Sequence, residues 1–377
     1  MNYEQLAYQI GIDMIPRIGS INAKKLIAYC GGVEAVFKQS EKALTQIPGI
    51  GLVTARAIAN QNVLDRAKQE VEFIEKHNIK TYFYLDSNYP SRLKNCEDGP
   101  IVLFTKSRID FNFNANKIIS IVGTRSITDY GIDMCNSIVE ELSNRGHKLV
   151  IVSGLAYGVD VCAHKAALRN DIPTIGVLGH GLDIIYPSVH RRIAKEMIEE
   201  GALVTDFPSG AKVDRNNFIK RNRIIAGLSD ATLVVESAES GGSLITADIA
   251  QSYNREVFAI PGLAKSTYSR GCNLLIKSNK AALVESAEDI EFQLGWETAG
   301  NSFSQKQLAF TPDLTSEEQE VYNVIKEFGQ EVIDVICFKT SMPVAKVSSI
   351  LLNLEFAGLV NCRPGKVFTL TRGHYHV

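Results

Sequence analysis

Lys117-Ile118-Ile119-Ser120-Ile121-Val122-Gly123-Thr124-Arg125 decides the architecture. A nearly unbroken apolar run halted by a glycine is the pattern of a strand buried on both faces, as in a parallel sheet. The pattern recurs outward from it at Lys148–Val152, Thr174–Leu178, Ala202–Thr205, Thr232–Val235 and Val257–Ile260. Helical patterns fill the intervals: Gly131–Asn144, Val159–Arg169, Val189–Glu200, Phe218–Leu228 and Leu244–Tyr253. Strand, helix, strand in repetition predicts an α/β fold, a doubly wound Rossmann-like parallel sheet with right-handed crossovers. Thr81–Leu85 and Ile101–Phe104 read as lead-in strands.

Smaller units flank this core. Residues 1–78 are predicted to be helical, and Ile47-Pro48-Gly49-Ile50-Gly51 before Thr54-Ala55-Arg56-Ala57-Ile58 is the pattern of a helix-hairpin-helix. Ile15-Pro16-Arg17-Ile18-Gly19 resembles it, as though the unit were repeated. The core is expected over 79–294 and a linker over 295–312. Residues 313–377 have the plan of a winged helix: amphipathic helices at Ser316–Phe328 and Val344–Phe356, a short apolar piece at Val332–Phe338, then a hairpin turning at Arg363-Pro364-Gly365.

With 377 residues and 45% hydrophobic content, the chain is long enough for two or three domains with real cores. A formal net charge of −2 means that any nucleic-acid site must be a local patch. The seven cysteines include no C-x-x-C pair, which argues against a zinc ribbon or a thioredoxin motif and fits a reducing compartment. The first sixteen residues lack the basic start and apolar stretch of a signal peptide, and no apolar run suits a membrane span. A cytoplasmic protein without membrane contact is expected.

Ligands of a doubly wound sheet sit beyond the carboxyl ends of its strands. Here those ends carry Gly123-Thr124-Arg125, then Ser153-Gly154, then Gly179-His180-Gly181, and later Ser240-Gly241-Gly242-Ser243. Small residues let backbone amides approach phosphate oxygens, and helix starts favour anions. Neither G-x-G-x-x-G nor G-x-x-x-x-G-K-[ST] is present, so a dinucleotide and a P-loop nucleotide are disfavoured. Between Lys212 and Arg223 lie Lys212, Arg215, Lys220, Arg221 and Arg223 against Asp214 alone, five minus one, with Phe218 and Asn222 among them. Basic groups beside an aromatic ring suit single-stranded nucleic acid: charge for phosphates, a ring face for a base. A solvated helix face with Phe218 packed in the core is the alternative.

In these segments, and in Ser153–Asp160 with Ala163-His164, Pro261-Gly262 and Gly271–Ile276, the chain resembles the DNA-processing protein A (Smf) family. The resemblance implies single-stranded DNA binding without chemical turnover or cofactor, a homodimer through the core, and loading of the RecA recombinase in natural transformation. Carried over by motif, Gly123, Thr124 and Arg125 would hold phosphates. Phe218 with Lys220, Arg221, Asn222 and Arg223 would be the main DNA patch, with Lys212 at its start. Ser153, Gly154, Gly241, Gly242 and Ser243 would line the pocket. The sequence departs from the family's pattern at His190, Thr205-Asp206, Ile219 and Asn279-Lys280. Asp160 and His164, four apart on one helix, are read as a helix cap and a packed histidine rather than a catalytic pair. An enzymatic alternative remains: the Gly241–Asp248 and Gly123–Arg125 loops also resemble phosphoribohydrolases of the lysine-decarboxylase-like type, with Asp248 in place of a glutamate.

Overall fold

The computed structural model describes residues 3–296 and 314–370, apart from 115, 329 and 364–366. The expected linker and the Pro364-Gly365 turn therefore lie largely outside the described residues. The chain forms two compact units, Met1–Asn301 and Ser302–Val377.

The first unit is built on one nine-stranded sheet: β1 (Lys80–Phe83), β2 (Val102–Lys106), β3 (Lys117–Val122), β4 (Leu149–Ser153), β5 (Thr174–Val177), β6 (Ala202–Thr205), β7 (Ala231–Val234), β8 (Glu256–Ala259) and β9 (Ala282–Leu283). Their spatial order is β1-β2-β6-β5-β4-β3-β7-β8-β9. Strands β3 to β9 pair in parallel, and β1 and β2 add an antiparallel edge. From the central β3 the chain winds outward through β4, β5 and β6, crosses back, and continues through β7, β8 and β9. The winding direction thus reverses between β3 and β7, where a doubly wound sheet opens its ligand crevice.

Period-two alternation along β3 divides the core. Ile118 and Val122 face the helices Arg215–Leu228, Gly242–Ser252 and Arg270–Lys277, packing with Ile224, Ala247 and Leu275. Ile119 and Ile121 face Asp129–Asn144, Val159–Arg169 and Ala287–Leu294, packing with Cys135, Ala163 and Ile290. The expected elements are all present, with ends shifted by up to three residues. Helix Arg215–Leu228 starts three residues before Phe218 because the Asp214 carboxylate accepts from the Asn216 amide at 2.7 Å and caps it. Sequence reading did not resolve Arg270–Lys277, β9 and Ala287–Leu294 as elements. They are too short to carry a clear period.

Residues 3–76 form six helices. The two hairpins match in detail. Ile18 N donates to Ile15 O at 3.2 Å, and Ile50 N to Ile47 O at 3.0 Å. The middle residues are left-handed, Arg17 at φ 70° and Gly49 at φ 82°. This region is fastened to the core. Buried Glu70 accepts from the Ser209 amide at 2.9 Å and its hydroxyl at 2.6 Å, and pairs with Arg66 at 2.8 Å. Its apolar cluster also includes Phe83, Val102 and Phe104 of the edge strands.

The second unit comprises Ser316–Phe328, β10 (Gln330–Val332), Ile333–Thr340, Val344–Phe356, β11 (Val360–Arg363) and β12 (Val367–Leu370), with strand order β10-β12-β11. This is a winged helix in which β10 adds a third strand to the expected hairpin. No single described helix is long and apolar enough to cross a membrane.

Candidate nucleic-acid interface

The loops leaving β3 and β7 meet at the reversal point. A Cβ on Gly123 would press on Val159 and reach 2.8 Å from Glu236 O, so only glycine lets the two strand ends and the helix start converge. The Thr124 amide donates to Glu236 O at 2.8 Å, and the Val159 amide to Thr124 O at 3.1 Å. Buried Glu236 then accepts from the Thr128 amide at 2.8 Å and its hydroxyl at 2.6 Å, fixing the far end of the loop. Arg125 projects from this rigid turn, its guanidinium carbon 5.9 Å from the centre of the Phe218 ring.

Phe218 is half-buried at the rim, not in the core. Its backbone rests on Gly179, where a Cβ would approach within 2.8 Å of the ring. Tyr186, 47% exposed, lies beside it with ring centres 5.7 Å apart. Sequence reading missed Tyr186. Its only signal was an aromatic in the loop after the third core strand.

Below the rim is a crevice of about 800 Å³ lined by Gly123, Thr124, Arg125, Phe218, Arg221 and Asn222 on one side, and by Gly241, Gly242 and Ser243 on the other. Helix Gly242–Ser252 opens there, with Gly241 as its N-cap and no side chain capping it. Asn222 Nδ2 donates to Gly242 O at 3.3 Å, and Ser243 Oγ to Ser237 Oγ at 2.9 Å. The free amides and dipole of such a helix start attract anions. Arg215, Ser237, Ser240 and Ile245 also line it, with the carboxylates Asp160 and Asp248.

The basic run, expected as the main DNA patch, does not lie on one face. Helix Arg215–Leu228 distributes it around its circumference. Arg221 is 4% exposed; its guanidinium lies against Gly154, donates to Val177 O, and is 3.7 Å from Asp160. Arg223 pairs with Asp206 and donates to Ser20 Oγ at 3.3 Å. With Lys220 it faces a separate cavity of about 950 Å³ between the first hairpin and the core. Lys212 is exposed and outside both cavities. Ser153 is buried, its hydroxyl donating to Ile121 O at 2.6 Å, so it braces β4 against β3.

Asp160 is not the expected helix cap: Gly158 holds that position, and Asp160 accepts from the Ala156 amide at 3.3 Å. Burial raises the Asp160 carboxyl, and the Arg221 charge pulls it back down. His164 is fully buried with Nδ1 2.7 Å from Thr174 Oγ1. The Thr174 hydroxyl donates to Ile151 O at 3.0 Å, so in that pair the His164 Nδ1–H donates. Burial, helped by Arg221, lowers its pKa to about 3. Asp248, the residue an enzymatic reading needs, is held by Lys280 at 2.8 Å.

Fold and site together define a Rossmann-like protein with a crevice at its switch point, an uncapped helix start within it and an aromatic rim. Residues 80–295 match the DNA recombination-mediator protein A family, and 306–366 match the DprA winged helix domain. The chain belongs to this DprA/Smf family of DNA-processing proteins. It is 32% identical to protein Smf of Synechocystis over 97% of this chain and 98% of that one. The X-ray structure of DNA processing protein A from Streptococcus pneumoniae aligns at TM-score 0.57 and 30% identity, covering 73% of this chain and 98% of that chain. A Helicobacter pylori DprA, solved to describe its single-stranded DNA binding mode, aligns at TM-score 0.51 and 27% identity, covering 57% and 95%.

Proposed function

We propose that the crevice binds single-stranded DNA without chemical turnover, and that the bound strand is passed to the RecA recombinase in recombination and natural transformation. The observation that carries this reading is the Arg125–Phe218–Tyr186 platform standing beside an uncapped helix start. A ring accepts any base by stacking, while arginine and helix amides accept any phosphate. A duplex has no bases free to stack. The binding mode named for the H. pylori relative supports the same reading. On family grounds the protein acts as a homodimer joined through its core, and its free cysteines suit a reducing cytoplasm.

Loading is tested with RecA and a strand already coated by a single-strand-binding protein. Adding this protein should restore DNA-dependent ATP hydrolysis by RecA, and an Arg125→Ala variant should restore less. If wild-type protein binds the strand but leaves RecA inactive, loading is excluded.

A further inference from the structure

The glycines in and around the crevice are of two kinds. At Gly123, Gly154, Gly179 and Gly271 an added Cβ would collide with the protein's own atoms. Gly241 and Gly242 are exposed and have room. The nearest atoms to a Cβ at Gly241 are the Ser237 and Ser243 hydroxyls at 3.7 Å, and at Gly242 the Asn222 amide nitrogen at 4.0 Å. Neither has the left-handed backbone that demands glycine; Gly241 has φ 176°. The fold does not require their missing side chains, and the backbone there stands open to approach from solvent.

Charge independently points to an anion there. The Arg221 side chain is 5% exposed, lines the crevice, and its Nε has no hydrogen-bond partner among the described residues. Its counter-ion Asp160 stands 3.7 Å away. The lining holds Arg125, Arg215 and Arg221 against Asp160 and Asp248, and Asp248 is already matched by Lys280. Three cations less one carboxylate leave a charge of +2. A phosphodiester within a strand brings one negative charge and two free oxygens. A terminal phosphate brings three free oxygens and about 1.5 to 2 charges near neutral pH. Three oxygens suit the successive amides of Gly242, Ser243 and Leu244 at a helix start.

We propose that the start of helix Gly242–Ser252, above Arg221, is a subsite for a phosphate monoester, borne on the end of a DNA strand. This rests on the single-strand reading above and adds to it a preference for phosphorylated ends.

The test uses full-length protein and fluorescence anisotropy with internally labelled strands of one sequence, bearing no terminal phosphate, a 5′-phosphate or a 3′-phosphate. One phosphorylated end should tighten binding roughly three- to tenfold, the scale of a helix-terminus charge interaction. Inorganic phosphate and thymidine monophosphate should compete that gain away. Gly242→Ala should abolish the gain without lowering the melting temperature. Equal affinity for all three strands, untouched by phosphate, would overturn this inference and leave the single-strand reading standing. Binding of thymidine monophosphate but of no strand would overturn both the strand-end source and the function proposed above.

Discussion

Two arginines of the crevice separate contact from support. Arg125 is exposed on a turn fixed by backbone bonds, whereas Arg221 is sealed beneath it against Gly154 and Asp160. Arg125→Ala should leave the melting temperature unchanged, weaken binding to every strand, and flatten the log–log salt slope by about 0.7, the value for one phosphate on a single strand. Arg221→Ala should instead lower stability by about 3–5 kcal/mol, because it leaves Asp160 buried without its partner. A salt titration and a thermal melt on each variant separate the two roles, and an Arg221→Ala protein with wild-type stability would contradict the burial argument. Phe218→Ala should cost roughly 1–3 kcal/mol of binding with an unchanged salt slope, since stacking releases no counterions. His164 adds a pH dependence. Its folded pKa of about 3 lies below its unfolded value, so the unfolded chain binds the extra proton. The contribution is complete above an unfolded pKa of about 6.5 and falls by about 1.4 kcal/mol per pH unit as the solution is acidified toward the folded value. The raised carboxyls of Asp13 and Asp160 act in the opposite sense, so the comparison must be between variants. Between pH 6.5 and 4, wild-type melting temperature should drop more steeply than that of His164→Gln. Parallel curves would mean that His164 does not titrate on unfolding.

Among the elements, the positions of the core strands were the most legible part of the sequence and the basic helix the least. Lys117–Val122 was read with correct ends because a strand buried on both faces must be apolar throughout and its glycine stop is visible. Charges are read in a line, but Arg215–Leu228 is a helix. Its side chains advance around the axis, so Arg221 turns into the wall while Lys220 and Arg223 turn to the second cavity. Period alone could have suggested that division; which face met the sheet could not be known until Ile224, Ile225 and Leu228 were placed in the core. Gly154 was read as a ligand-facing glycine, yet its missing Cβ makes room for Arg221, a partner 67 positions away in sequence (221 minus 154). Tyr186 escaped notice because nothing local ties an exposed aromatic to Phe218. The repeated hairpin was legible, and its match extends to backbone angles. Gly49→Ala should cost about 1–2 kcal/mol for a left-handed alanine. Arg17→Gly, at the equivalent turn, should be neutral or mildly stabilising by chemical denaturation, because it relieves a strained φ of 70°. Loss of stability in Arg17→Gly would show that the arginine side chain contributes more than its backbone costs.

At the scale of the whole molecule, the proposed function has a chain of net charge −2 bind a polyanion through one locally positive crevice, on a sheet whose topology fixes where that crevice opens. Light scattering at micromolar concentration should give about twice the 41.5 kDa chain mass, as the proposed core-to-core dimer requires, and a monomer would reject it. The central claim concerns the form of the nucleic acid. If the rim takes bases by their faces, as proposed, only unpaired bases can use it. The most direct measurement is a competition titration: a labelled single strand bound to the full-length protein, displaced by unlabelled single strand or by the same sequence as a blunt duplex, in identical salt. The single strand should displace the label at a concentration at least about fivefold lower than the duplex, given the stacking contribution of one base. Equal displacement by the duplex would contradict the account, since it would mean that phosphates alone are bound and the Arg125–Phe218–Tyr186 platform plays no part.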